Sequence, residues 1–292
     1  MFKSIGSDME VFARNKDGHH IAICGKIGGT KDEPKPIPEL GDGYFIQEDN
    51  VALEFNVPVC KTKEQFIESF SNMRIYTSNL LKTFDLTLSD KAAISFDKQE
   101  LTHPNALIFG CEPDYDAWKR VENKIKRSED KALRSCGGHI HVGSTLNMVQ
   151  GVCNMDLRLG IASVILDDSP ESLRRKELYG KAGAFRPKHY GWEYRTLSNF
   201  WMFSDELVGW VFDRTVEACN NPVDITEKEG KEIQKCINTG NKEKALYFID
   251  KYNIMLPKHK EEKEIQKDFN FSMEKLIEKL NNKGHFIHTS YI

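Results

Sequence analysis

The sequence predicts an α+β fold: strands with one apolar and one polar face, backed by helices. Three observations point there. Residues 44–57 alternate, with Val51, Leu53, Phe55 and Val57 on one side and Glu48, Asn50, Ala52, Glu54 and Asn56 on the other, which is the period of a half-buried strand. Gly137-Gly-His-Ile-His-Val-Gly143 sets His139 and His141 two residues apart. On a strand they share a face, and Ile140 and Val142 share the opposite one. Phe66, Ile67, Phe70, Met73, Leu80, Leu81 and Phe84 recur at near-helical spacing behind a Thr62/Gln65 capping box, the mark of a core-facing helix.

Taken in order, residues 4–24 read as a hairpin that turns near Asn15-Lys-Asp-Gly18, with Asp-Gly as the turn signal. Asp8 and Glu10 share parity with Phe12, whereas Met9 and Val11 face the other way. His19 and His20, at the hairpin exit, read as solvated. Gly25-Lys-Ile-Gly-Gly-Thr-Lys31 lacks the Walker spacing and runs into Asp-Glu-Pro-Lys-Pro, where a phosphate loop would open a helix. It reads as a turn-rich loop able to lie over a ligand. Pro58 ends the 44–57 strand. Residues 86–96 and 106–110 read as strands, 111–115 as a loop, and 117–127 as a charged helix or loop. Leu133 leads into the His139/His141 strand.

Asn147 to about Leu166 reads as a helix, broken at Asp167-Asp-Ser-Pro170. Arg174, Arg175, Lys181, Arg186 and Lys188 then make a basic connector. It is either a solvated loop or a clamp for phosphate, whose oxygens match guanidinium forks. The strand from Trp192 to Leu197 puts Glu193 and Arg195 on one face. A helix from Ser204 to about Cys219 buries Leu207, Trp210, Val211 and Val216. Beyond Pro222 the chain turns lysine- and glutamate-rich, with helical segments near 226–238, 241–253 and 260–281. Residues 1–221 are therefore expected as a catalytic domain. Residues 222–292 are expected as a helical extension that packs on it or on a second subunit, giving a possible homo-oligomer.

Composition narrows the function. An apolar fraction of 39% with 29% charged residues supports a real core. A net charge of -3 offers no basic footprint for nucleic acid. Seven scattered cysteines without a Cys-x-x-Cys pair argue against a zinc cluster or a disulfide framework and for a reducing compartment. An acid interrupts the opening run before any apolar stretch, so it does not read as a signal peptide. No apolar run reads as long enough to span a bilayer. A cytoplasmic protein without a membrane partner is expected.

The chemistry lies in the polar faces. Asp8, Glu10, Glu48, Glu54 and Glu193 repel one another if they converge, and bound Mg²⁺ or Mn²⁺ would relieve that. Arg174, Arg186 and Arg195 would then meet negative charge on a substrate, the combination phosphoryl transfer asks for. Other uses of His-x-His fit less well. Position 145 is Thr where a cupin would place Glu, and His-Glu-x-x-His is absent.

The pieces Gly-Ser-Asp-x-Glu, Ile-Gly-Gly-Thr-Lys, Glu-Asp-Asn-Val-Ala-Leu-Glu-Phe-Asn, Gly-Gly-His-Ile-His-Val-Gly, Tyr-Gly-Lys-Ala-Gly-Ala-Phe-Arg and Glu-Tyr-Arg-Thr-Leu-Ser-Asn-Phe-Trp resemble the phage-type carboxylate–amine ligases of type 2. Those amidoligases sit within the wider glutamine synthetase and glutamate–cysteine ligase superfamily. The likeness covers about residues 4–203 and leaves out the lysine-rich tail. It implies a curved, mostly antiparallel sheet with helices on its convex face, holding ATP and divalent metals on its concave face. Carried over by motif, Glu10, Glu48, Glu54, His139 and Glu193 would bind Mg²⁺ or Mn²⁺, with Asp8 a further candidate. His141 and Arg195 would face nucleotide or acyl substrate, and Arg174, Lys181 and Arg186 would hold the transferring phosphate.

The implied reaction is ATP-dependent. A small-molecule or peptide carboxylate becomes an acyl phosphate, and an amine displaces phosphate to leave an amide. A metal-dependent phosphohydrolase or nucleotidyltransferase is the main alternative. A non-catalytic scaffold acting through its tail is the other.

Overall fold

The computed structural model describes residues 1–107, 114–124, 128–167 and 169–257. The part of the expected 106–110 strand beyond 107, the start of the 111–115 loop with Cys111, residues 125–127 of the charged segment and the expected 260–281 helix lie outside the described residues.

The strands in chain order are β1 (Phe2–Asn15), β2 (His20–Ile21), β3 (Lys35–Pro36), β4 (Phe45–Asp49), β5 (Ala52–Cys60), β6 (Leu86–Ser89), β7 (Ala93–Ser95), β8 (Tyr115–Asp116), β9 (Val121–Glu122), β10 (Leu133–Ser135), β11 (Gly138–Ser144), β12 (Ala184–Lys188) and β13 (Gly191–Tyr194). The helices are α1 (Lys63–Lys82), α2 (Met148–Met155), α3 (Ile161–Leu166), α4 (Pro170–Arg175), α5 (Asp205–Asn220), α6 (Glu227–Thr239) and α7 (Lys242–Lys251). A π-helical insert, Asp156–Gly160, joins α2 to α3. The fold is α+β. One large sheet runs β3-β4-β5-β1-β11-β13-β12-β8-β9, with β2 and β6 on the far half of β1, and β10 pairs β7 separately. Every pairing is antiparallel.

Helix α1 forms as its sequence demands. Thr62 and Gln65 make the reciprocal capping box, and Phe66, Phe70, Met73 and Leu81 are buried. Phe70 meets Phe55 of β5 edge-on at 5.9 Å and Trp201 at 4.8 Å. Ile5, Met9, Val11, Leu53, Phe55, Ile140, Val142, Trp192 and Tyr194 form the apolar face of the sheet in the same core. At about 1.5–3 kcal/mol per fully buried large side chain, this seam holds the strands in register.

Three expectations need correction. The alternating run 44–57 is a hairpin, not one strand. Asp49 pairs with Ala52 across a two-residue loop, and Asn50 takes φ +56°, a left-handed conformation that Asn tolerates better than most residues. The stretch Met148–Leu166 is long and apolar enough for a membrane span, contrary to the sequence reading; 78% of that window is buried inside the protein, as in a core helix.

A 3-10 turn over Pro104–Leu107 takes in the first two residues of the expected 106–110 strand. Helices α6 and α7 match the first two helical segments expected after 222. Their Ile233, Cys236, Ile237, Ala245 and Phe248 are fully buried in the same core as the sheet.

Candidate active site on the polar face of the sheet

Five strands carry the polar face. Asp8 on β1 pairs with Asn56 and His139, Glu10 pairs with Glu54, and His141 pairs with both Gly6 and Glu193. Arg186 on β12 stands opposite Glu193. Directly opposed residues in such ladders have Cβ atoms about 5 Å apart, so these side chains must face one another.

They do. Asp8 lies 3.3 Å from His139 Nδ1 and 3.2 Å from His141 Nε2. Glu193, fully buried, is met by Arg195, by Arg186 at 3.5 Å and by Lys188 at 3.1 Å. Arg195 also reaches Asp114 at 3.4 Å and His139 Nδ1 at 3.4 Å. Glu10 accepts the Gly137 N–H at 2.7 Å. Glu54 accepts from Gln47 at 2.7 Å.

The glycines before the histidines have a specific use. A Cβ on Gly137 would stand 2.2 Å from His139 Nε2, so only glycine lets that ring fold back over the chain. Gly180, at φ +72°, would put a Cβ 1.6 Å from Arg175 Nη1.

Charge divides the basin into two halves. In the first, burial works against the charge on Asp8, but His141 and His139 outweigh it and hold the carboxyl well below the usual range. Burial and Asp8 also oppose ionisation of Glu193, yet Arg195 and the histidines keep it low. Burial, then Arg195, pushes His139 down to about 4. Burial opposes the imidazolium of His141, but Asp8 and Glu193 raise it overall. In the second half, burial and then Asp49 push Glu10 up to about 8. Burial, Asp8, Glu10 and Asp49 raise Glu54 well above the carboxylate range. Burial raises Asp49 too.

The donor set fits a divalent cation. One ligand atom each from Asp8, His141 and Glu193 lies within 4.8 Å of the others. Asp8 Oδ1, His141 Nε2 and Glu193 Oε2 are buried near opposite charges yet lack an aligned hydrogen bond. Buried polar atoms are seldom left so, and oxygen ligands with one imidazole suit Mg²⁺ or Mn²⁺.

Two expected residues, Glu48 and Arg174, are engaged elsewhere. The hairpin inverts parity: Glu48 pairs with Leu53 while Gln47 pairs with Glu54, so Glu48 leaves the polar face. It accepts from the backbone N–H groups of Gly25, Ile27 and Gly28 at 2.6, 2.9 and 2.8 Å and so anchors the glycine-rich loop. Arg174 pairs with Asp130. Its neighbour Arg175, about 100° further round the helix, is the one turned inward. Arg175 donates to the carbonyls of Thr196 and Arg195 at 3.0 and 3.3 Å. Lys181 lies in the loop before β12, where its carbonyl accepts from Thr196 Oγ1 at 3.2 Å. Sequence reasoning missed Asp49 and Asp114 as site groups and named Arg175 only as one member of the basic connector. The signal for Asp49 was the turn-prone Asp49-Asn50 step.

Behind Glu10, Asp49, Arg134, His139, Arg175 and Arg195 enclose a cavity of about 60 Å³.

Residues 128–285 match the phage phiEco32-like COOH.NH2 ligase-type 2 family, more than half of the chain. The chain belongs to this family. The matched stretch takes in His139, His141, Arg186, Glu193 and Arg195, and it continues through α6 and α7 into the lysine-rich region that the motif likeness left out. Asp8, Glu10 and Glu54 precede it.

The crystal structure of a bifunctional glutathione synthetase from Pasteurella multocida aligns with 97% of this chain and 49% of that one, at 9% identity and a TM-score of 0.49. The chain thus spans about half the length of that protein. No curated protein matches the sequence.

Proposed function

We propose that the chain is an ATP- and Mg²⁺-dependent ligase that joins a carboxylate to an amine through an acyl phosphate, on a sheet of the glutamine synthetase type. The observation that supports this most is the polar ladder itself. Asp8, His141 and Glu193 converge with unsatisfied donor atoms, ringed by Arg186, Lys188 and Arg195. Family membership favours the same reaction class.

Asp8, His141 and Glu193 would hold one cation; Glu10, Glu54 and Asp49 would hold another. Cations held by these residues would supply positive charge to neutralise phosphate oxygens. Arg186 and Arg195 stabilise the negative charge that passes during transfer. His139, neutral because of burial and Arg195, fills the space between Asp8 and Arg195 without adding charge. In the chemical step a carboxylate oxygen bonds to the γ-phosphorus and ADP leaves. The amine nitrogen then bonds to the acyl carbon as phosphate leaves, and the amine gives up a proton. No side-chain nucleophile is required. Glu48 and Arg174 fall outside this scheme. The substrates are a small-molecule or peptide carboxylate and amine.

The test is a screen of ¹⁸O-labelled carboxylates with amines, ATP and Mg²⁺. ADP should appear only when both are present, with label passing into the released phosphate. Phosphate or pyrophosphate release without an amine would favour the phosphohydrolase or nucleotidyltransferase reading.

A further inference from the structure

The β12–β13 hairpin turns through only two residues, His189 and Tyr190, since Lys188 pairs with Gly191. The turn is tied to the neighbouring strand by the Ser144 N–H, which donates to the Tyr190 carbonyl at 3.2 Å. Its tip therefore sits at a fixed place beside β11, the strand of His141. Tyr190 is 38% exposed, yet its hydroxyl lies 2.5 Å from His141 Nδ1 and its ring is within 29° of parallel to the imidazole, centroids 6.2 Å apart. Thus one imidazole nitrogen is committed to a phenol at the rim. The other, Nε2, is buried, has no aligned hydrogen bond and faces Asp8 Oδ2 at 3.2 Å.

We propose that Tyr190 is a positioning residue: its hydroxyl holds His141 Nδ1, so that Nε2 joins Asp8 and Glu193 as the third ligand of a divalent cation. This rests on the reading of the basin as a cation site. With the cation bound, Nδ1 carries the imidazole proton and donates it to the Tyr190 oxygen, and the lone pair of Nε2 is left for the metal. The partner on the second ring nitrogen fixes both tautomer and ring angle, and losing such a partner typically weakens metal binding by 10- to 100-fold. Tyr190 does so from a solvent-exposed turn. Loss of its hydroxyl leaves the buried ladder behind it intact.

The experiment is Mn²⁺ binding to the full chain, without nucleotide, followed by electron paramagnetic resonance for the unaltered protein, Tyr190→Phe and His141→Ala. Circular dichroism checks the fold, and long-range ¹H–¹⁵N spectra report the His141 tautomer. Tyr190→Phe should raise the Mn²⁺ dissociation constant by about 10- to 100-fold, with a mixture of His141 tautomers where the unaltered protein shows one. His141→Ala should weaken binding at least as much. If Tyr190→Phe binds Mn²⁺ as tightly as the unaltered protein while His141→Ala does not, the role of Tyr190 is overturned and the cation site stands. If the unaltered protein binds no Mn²⁺, the cation site falls and this proposal with it.

Discussion

Glu193 concentrates the electrostatics of the basin. It is fully buried among Arg186, Lys188 and Arg195. The sequence alone suggests that Glu193→Gln should keep the fold and lose activity. The structure adds a cost. Neutralising one member of a buried ion cluster leaves its partners uncompensated, which typically costs about 3–5 kcal/mol. Urea denaturation of Glu193→Gln should show that loss, and a change below about 1 kcal/mol would mean that water already screens the cluster. Glu10 makes a second prediction. Burial and Asp49 push it up to about 8, so at pH 7 it holds a proton that a cation must displace. Cation binding should therefore release protons at pH 7, tighten as pH rises, and level off above about 8. Calorimetry in buffers of different ionisation enthalpy measures the release, and Glu10→Gln should reduce it, with Glu54, also raised, supplying the remainder.

At the scale of elements, the polar faces of β1, β11 and β13 were legible because alternation fixes which side chains share a face. The hairpin at Asn50 was not. A two-residue loop between two alternating strands leaves the apolar/polar count nearly undisturbed, yet it exchanges the two faces upstream. Glu48 and Asp49 therefore traded places. Arg174 and Arg175 failed the same way, since composition marks a basic connector but not which of two adjacent arginines points inward. Asp49→Asn should weaken Mn²⁺ binding about tenfold, the scale of one charge-assisted contact of about 1.5 kcal/mol. Glu48→Gln should leave that affinity unchanged and speed hydrogen exchange at the Gly25, Ile27 and Gly28 amides. The opposite pattern would restore Glu48 to the site.

For the whole molecule, the question is whether the helices after residue 221 form a separate unit. Their Ile233, Ile237 and Phe248 share the core of the sheet, and the family match spans the expected boundary without a break. Phe248→Ala should cost about 3–5 kcal/mol and shift one cooperative transition seen alike by far-ultraviolet dichroism and by tryptophan fluorescence. Two separated transitions, only one of them moved, would mark an independent extension. The composition change at Pro222 was visible in the sequence. That Ile233, Ile237 and Phe248 of α6 and α7 enter the core of the sheet was hidden, because the buried positions there are sparse and widely spaced.

The central claim is that five strands bring their acids, histidines and guanidiniums around bound cations. Anomalous diffraction from a crystal soaked in Mn²⁺ and a non-hydrolysable ATP analogue tests it most directly. One peak is predicted among Asp8, His141 and Glu193, and a second beside Glu10, Asp49 and Glu54. Peaks confined to other surfaces, with the basin empty at saturating Mn²⁺, would contradict it.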